Sequence, residues 1–256
     1  MYKKKAMTSE KASYVRRRGH LDAKDFAKSI GLDDDYLNDP KAKKDVIDKS
    51  GDSYSVKSGE KKWQIFLYSE RRFRRDYSFM AMNGVGQLLL KCIQCFPGSF
   101  RKYSEHKKLY KNNLQQPMIK LCNKLRDKKR LAAFIDKAMF NSGEVNYLAI
   151  KHENKFHIFW SRDVIGILSD NLRAENSQAR TTKQNPNQKV VFKIDKTYGE
   201  IEMRNDSEIH YREVKFWLNK KLVVNLLLGK IKKVYNYSDN VLVYGEAIKR
   251  FGRWKE

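Results

Sequence analysis

Residues 44–73 read KDVIDKSGDSYSVKSGEKKWQIFLYSERRF, and the parsing of this stretch decides the fold. Asp45-Val46-Ile47-Asp48 is a short alternating run that reads as a strand. Lys49-Ser50-Gly51-Asp52 follows with turn chemistry, a glycine able to take positive φ beside Ser and Asp, whose side chains bond their own backbone. Ser53-Tyr54-Ser55-Val56-Lys57 is a second strand, with Tyr54 and Val56 on one face and Ser55 and Lys57 on the other. An odd loop such as 50–52 sets Asp45 directly opposite Lys57, and an even loop sets them one diagonal apart. Past Ser58-Gly59, apolar residues at 63, 66, 67 and 73 with Glu70 among them follow helical spacing more closely than alternation, so 60–73 is expected to be helical.

An acid on one strand, a small-x-Lys on the next and a carboxylate about one helix later resembles the PD-(D/E)xK nuclease core, best known from Type II restriction endonucleases. The usual motif carries Glu-x-Lys, whereas Ser55 stands at the Glu position here. Some members with Ser-x-Lys supply the carboxylate from a helix past the lysine, and Glu70, thirteen residues after Lys57, has that place. The resemblance covers residues 15–75. It implies a catalytic set of Asp45, Lys57 and Glu70, with Asp45 and Glu70 as ligands of Mg²⁺, an ion held by one or two carboxylates, waters and substrate phosphates. Lys57 would orient or deprotonate the attacking water and stabilise charge on the phosphate. Asp48, Asp52 and Glu60 are the other acids of the stretch that could complete the metal site.

The chain has 256 residues, room for one large domain or two small ones with a substantial core. Hydrophobic residues make up 41% and aromatics 12%, which excludes a disordered chain. Lys and Arg number 54 against 30 Asp and Glu, a net charge of +24. Self-repulsion makes such an imbalance costly, so the expected partner is polyanionic, nucleic acid foremost. A lysine-rich proteome accounts for part of the excess only, since that bias raises Glu as well. Three cysteines occur; Cys92 and Cys95 form a Cys-x-x-Cys within the apolar run LLLKCIQCFPG, and no second ligand pair matches it. Buried thiols are therefore expected rather than zinc. Neither a signal-peptide pattern nor a membrane-length apolar run is present, which gives the expectation of a reduced, cytoplasmic protein that does not enter the membrane.

Residues 1–18 are basic and read as an arm, either draped on DNA or solvated. A helix is expected over 21–30 with Asp22 as N-cap, and its Asp25 reads as a surface acid before it reads as an ancillary acid of the site. A loop over 33–44 leads into the first strand. Helices are expected over 79–96, 109–125 and 128–140. Strands over 145–150 and 155–160 and a helix from Ser161 to 172 would extend the central sheet. A hairpin over 190–204, a helix over 208–228 and a basic strand-turn-helix over 230–256 close the chain. No linker marks a boundary, so a single domain over 1–256 is expected.

Three further groups point to DNA. Arg71, Arg72, Arg74 and Arg75 would repel one another without an anion, and they suit phosphate contacts beside the cut. Residues 173–189 are rich in Arg, Lys, Asn and Gln, the side chains that pair with base edges, so Arg180, Lys183 and Gln184 are candidate readers. Arg204, Asn205, His210 and Arg212 cluster where the 208–228 helix is expected to begin. The reading is an α/β protein with a mixed central sheet flanked by helices, and a Mg²⁺-dependent endonuclease cutting double-stranded DNA at a specific site within restriction-modification. A homodimer is expected, with a tetramer left open, since a palindrome offers equivalent half-sites. A DNA- or RNA-binding protein without catalysis and a structure-specific repair or junction nuclease are the alternatives.

Overall fold

In the computed structural model, residues 9–34, 36–179, 185–204 and 208–253 are described. Helix α1 (Ser9–Ser29) precedes β1 (Leu37–Asp39), β2 (Lys44–Ile47) and β3 (Ser53–Lys57). Next come β4 (Lys62–Ser69), α2 (Glu70–Arg75), α3 (Tyr77–Met80), α4 (Val85–Gln94), α5 (Phe100–Glu105), α6 (Lys107–Leu125) and α7 (Lys128–Phe140). They are followed by β5 (Tyr147–His152), β6 (Lys155–Trp160), α8 (Ser161–Asn171), β7 (Arg173–Asn176), β8 (Lys189–Lys193) and β9 (Thr197–Arg204). The chain closes with β10 (Glu213–Asn219), α9 (Lys220–Lys230), β11 (Val234–Ser238) and β12 (Val241–Tyr244). It groups into two compact units, one of Met1–Lys61, Ala138–Ile167 and Val224–Glu256, the other of Lys62–Lys137 and Leu168–Val223.

The first unit holds a seven-stranded sheet in the order β1-β2-β3-β5-β6-β12-β11. It is mixed: β3 runs parallel to β5 and β6 parallel to β12, while the remaining pairs are antiparallel. Parallel neighbours need a long crossover, and some ninety residues separate β3 from β5. As expected, the strands over 145–160 extend the sheet that contains the hairpin. Alternation along β3 sends Tyr54 toward α1, where it meets Phe26 at 5.2 Å and stacks on Tyr147 at 5.0 Å. Val46, Ala27, Ile30 and Ala149 complete this core, and each fully buried side chain of the larger kind stabilises by about 1.5–3 kcal/mol.

Residues 9–18, assigned to the basic arm in the sequence, belong to α1, which runs unbroken into the expected 21–30 helix. Residues 1–8 lie outside the described residues. The 33–44 loop contains the edge strand β1, paired with β2.

The second unit holds an antiparallel sheet, β4-β10-β9-β8-β7. Two expected helices are corrected by one pairing. Residues 62–69 form β4 rather than part of a helix over 60–73, and residues 213–219 form β10 rather than the middle of a helix over 208–228. The strands pair Phe66 with Phe216 but Gln64 with Trp217, so Ile65 is an extra residue in a bulge. The bulge shifts the phase of alternation, burying Trp63, Ile65 and Phe66 on one strand and Phe216, Trp217 and Leu218 on the other. Adjacent apolar residues on each strand result, which break the strict alternation by which a strand is recognised in sequence. Only the ends of those segments, α2 and α9, are helical.

The expected helix over 79–96 is likewise two, α3 and α4, because Asn83 and Gly84 take left-handed backbone angles of φ 43° and 81°. Close approach requires Gly86 after the break: a Cβ there would stand 2.2 Å from the Phe79 carbonyl oxygen. Rings of Phe66, Phe73, Phe79, Phe134 and Phe216 pack edge-on and tilted around this point. Cys92 and Cys122 are buried, and the half-buried Cys95 thiol donates to the Asn113 carbonyl.

Candidate active site

The β2–β3 hairpin owes its register to Asp48. Its Oδ1 accepts from the Ser50 amide at 2.9 Å, the Ser50 hydroxyl at 2.7 Å and the Asp52 amide at 3.0 Å. Its Oδ2 accepts from the buried Tyr54 hydroxyl at 2.7 Å. The Gly51 amide donates to the Asp48 carbonyl, and Gly51 takes φ 86°, which makes a turn closed by a left-handed glycine. This loop is odd but centred on Ser50, one residue earlier than a loop over 50–52. Val46 therefore faces Tyr54 and Ile47 faces Ser53, which sets Asp45 opposite Ser55. Lys57 is the diagonal neighbour of Asp45, and the direct pairing that an odd loop over 50–52 would have given is corrected by this register.

Across that diagonal, the Asp45 carboxylate gathers the strand. Asp45 Oδ2 accepts from the Val56 amide at 2.8 Å and from the Ser55 hydroxyl at 3.4 Å, and Lys57 Nζ stands 3.7 Å away. Lys57 Nζ donates to Ser55 Oγ at 2.7 Å, so the serine links ammonium to carboxylate. Asp45 Oδ1 has no partner among the described residues. The two charged side chains retain 31% and 23% of their exposure, so a ligand from solvent can reach them. Tyr36 lies near: burial first, then the Asp45 charge, push its phenol up.

Glu70, the other expected metal ligand, begins α2 in the second unit, where arginines hold it. Its Oε1 accepts from Arg74 Nε at 3.0 Å and Nη2 at 2.8 Å, and its Oε2 accepts from Arg212 at 3.0 Å. The Arg74 bonds above all hold this carboxyl below the usual carboxylate range, with Gln94 adding to them. The anion that the arginine cluster needs is thus partly Glu70 itself. Arg71, Arg72 and Arg75 are exposed, and the Arg72 guanidinium lies 5.2 Å over the Tyr68 ring.

The other candidates divide. Asp48 is spent on the turn. The Asp52 carboxyl is held above its ordinary range by burial first and by the Asp48 charge second, and Glu60 is exposed. Asp25 and Asp22 share Lys151 of β5 at 3.0 and 2.8 Å, an ion-paired cluster for which the local sequence carries no signal because its members are distant in the chain. His210 Nδ1 is 2.6 Å from Glu213 Oε2, and Arg204 ends β9 opposite Glu213. Arg180, Lys183, Gln184 and Asn205 lie outside the described residues. Strand β7 takes up the first residues of the 173–189 segment.

Among the described residues no group of three or more His, Cys, Asp or Glu side chains is gathered as a metal site, and no helix is long and apolar enough to cross a membrane. A single half-exposed carboxylate with a free oxygen still fits the oxygen chemistry of Mg²⁺, which takes most of its shell from water and phosphate. No protein-family model matches the chain, and no curated protein matches it.

Proposed function

We propose that this protein is a Mg²⁺-dependent endonuclease that cuts double-stranded DNA at a short specific site, in the manner of a Type II restriction enzyme built on the PD-(D/E)xK core. The observation that carries the reading is the cluster of Asp45, Ser55 and Lys57 on one face of the β2–β3 hairpin. A helix ahead of a hairpin that carries the acid on one strand and the lysine on the next is the arrangement the resemblance implies, and the net charge of +24 supplies affinity for a polyanion.

Asp45 would hold the ion through its free oxygen, and a bound Mg²⁺ supplies Lewis-acid polarisation and a more acidic water. Lys57, anchored by Ser55, offers a fixed positive charge to a phosphoryl oxygen as negative charge develops. Val56 donates its amide to Asp45 and keeps that carboxylate oriented. A twofold dimer goes with a palindromic target, and a reducing, cytoplasmic setting goes with the thiols of Cys92, Cys95 and Cys122.

A non-catalytic nucleic-acid-binding protein is the second reading, favoured by the engagement of Glu70 with Arg74 and Arg212. Incubating supercoiled plasmid with the protein and Mg²⁺, then with EDTA, separates the two. Discrete fragments that require Mg²⁺ support the enzyme. Plasmid retained on the protein and never cut removes it.

A further inference from the structure

Away from the Asp45–Lys57 cluster, the first unit carries an open cavity of about 500 Å³ whose lining includes Arg17, His20 and Lys24 of α1, the Asp34 carboxylate, Tyr36 and Asn38. Positions 17, 20 and 24 recur at intervals of three and four, so they share one helix face. The neighbouring stripe of Ala23, Phe26, Ala27 and Ile30 is buried in the core and fixes the orientation of that face. Its charges are not equivalent. Lys24 and Lys28 are both paired with Asp34, at 3.3 and 3.1 Å. Arg17 and His20 are exposed and carry neither a hydrogen bond nor an ion pair among the described residues. The Asp34 carboxylate of the same cavity is engaged by the two lysines, which leaves an exposed guanidinium and imidazole facing solvent in a chain of net charge +24.

The net charge of +24 favours a polymer of phosphates. Arg17 and His20 are three residues apart, about 4.5 Å along the helix, so both reach the same stretch of one strand. Tyr36 adds an aromatic wall at the entry to β1, the strand that pairs with β2, which carries Asp45.

We propose that the groove between α1 and the entry to β1 binds the phosphodiester backbone of DNA, with Arg17 and His20 on the phosphates and Tyr36 leading the strand toward Asp45. The course of the strand toward Asp45 rests on the nuclease reading; the binding does not.

The test is Arg17→Ala combined with His20→Ala in the full chain, titrated with a fluorescent duplex in EDTA over a range of salt. Affinity is expected to fall about tenfold, with the slope of log affinity against log salt reduced by about 1 to 2, and Arg17→Lys is expected to retain the wild-type slope. Unchanged affinity and slope overturn the groove. So does the reverse selectivity, in which the double variant loses binding to vesicles of anionic phospholipid but keeps the duplex. Cleavage is read separately: a wild type that never cuts DNA yet binds it through Arg17 and His20 sinks the nuclease reading and leaves the groove standing.

Discussion

Lys57 Nζ lies 3.7 Å from Asp45 Oδ2, although the strand register pairs Asp45 with Ser55 and not with Lys57. The diagonal is spanned because Ser55 Oγ accepts from the ammonium and stands 3.4 Å from the carboxylate, so three side chains on one sheet face act as one unit. A long side chain reaches a diagonal neighbour easily. The direct partner, a serine, is too short to displace it.

This relationship sets the first expectation. Asp45→Ala and Lys57→Ala should each lower Mg²⁺-dependent cleavage by about 10²–10⁴-fold, the range of a lost catalytic group. Duplex affinity should stay within about twofold, because many basic residues share the binding. Ser55→Ala, which removes only the anchor, should cost about tenfold or less. Full activity in Lys57→Ala would sink the family assignment.

Glu70 calls for a paired readout. Its carboxyl is held low chiefly by Arg74, so the pair adds stability at pH values above the ordinary carboxylate value of about 4.5 and loses it as pH falls through the lower folded value. Glu70→Gln should therefore lower stability slightly at pH 7, by less than about 1 kcal/mol for so exposed a pair, with the difference shrinking as pH falls below the ordinary carboxylate value. The resemblance predicts lost cleavage as well. A variant that cuts DNA normally would assign Glu70 to the arginine cluster alone.

The turn acids should behave in opposite ways. Asp48→Ala removes the acceptor of two amides and of the buried Tyr54 hydroxyl and should cost about 3 kcal/mol, read by denaturant unfolding. Asp52 is held above its ordinary range by burial and by Asp48, so its ionisation opposes folding; the folded state prefers the protonated acid. Asp52→Asn should raise the midpoint at pH 7 and have little effect at pH 3. A drop at pH 7 would show that the carboxylate is needed for a partner.

Base reading is tested at Arg180, Lys183 and Gln184. If one of them contacts a base edge in the major groove, its alanine variant should lose about 1–3 kcal/mol of discrimination between target and altered sites. Equal weakening on every sequence would make it a phosphate contact. For the whole protein, affinity that is nearly flat between low and physiological salt would rule out the electrostatic partner inferred from the charge.

Local pattern in the sequence determined the hairpin, its turn at Gly51, the shared face of Ser55 and Lys57, the helix over 128–140 and the strands over 145–160, because alternation and turn chemistry act within a few residues. Long-range pairing decided the rest. The β4–β10 bulge turned two apparent helices into strands, since an extra residue at Ile65 breaks the period that distinguishes them. Asp48 set which residue Asp45 faces, since a side chain can move a turn by one position without altering its composition. The capture of Glu70 by Arg212, 142 residues away, and of Asp22 by Lys151, 129 residues away, left no local trace. Charge partners are chosen by proximity in the folded chain, and composition states only how many charges must find one.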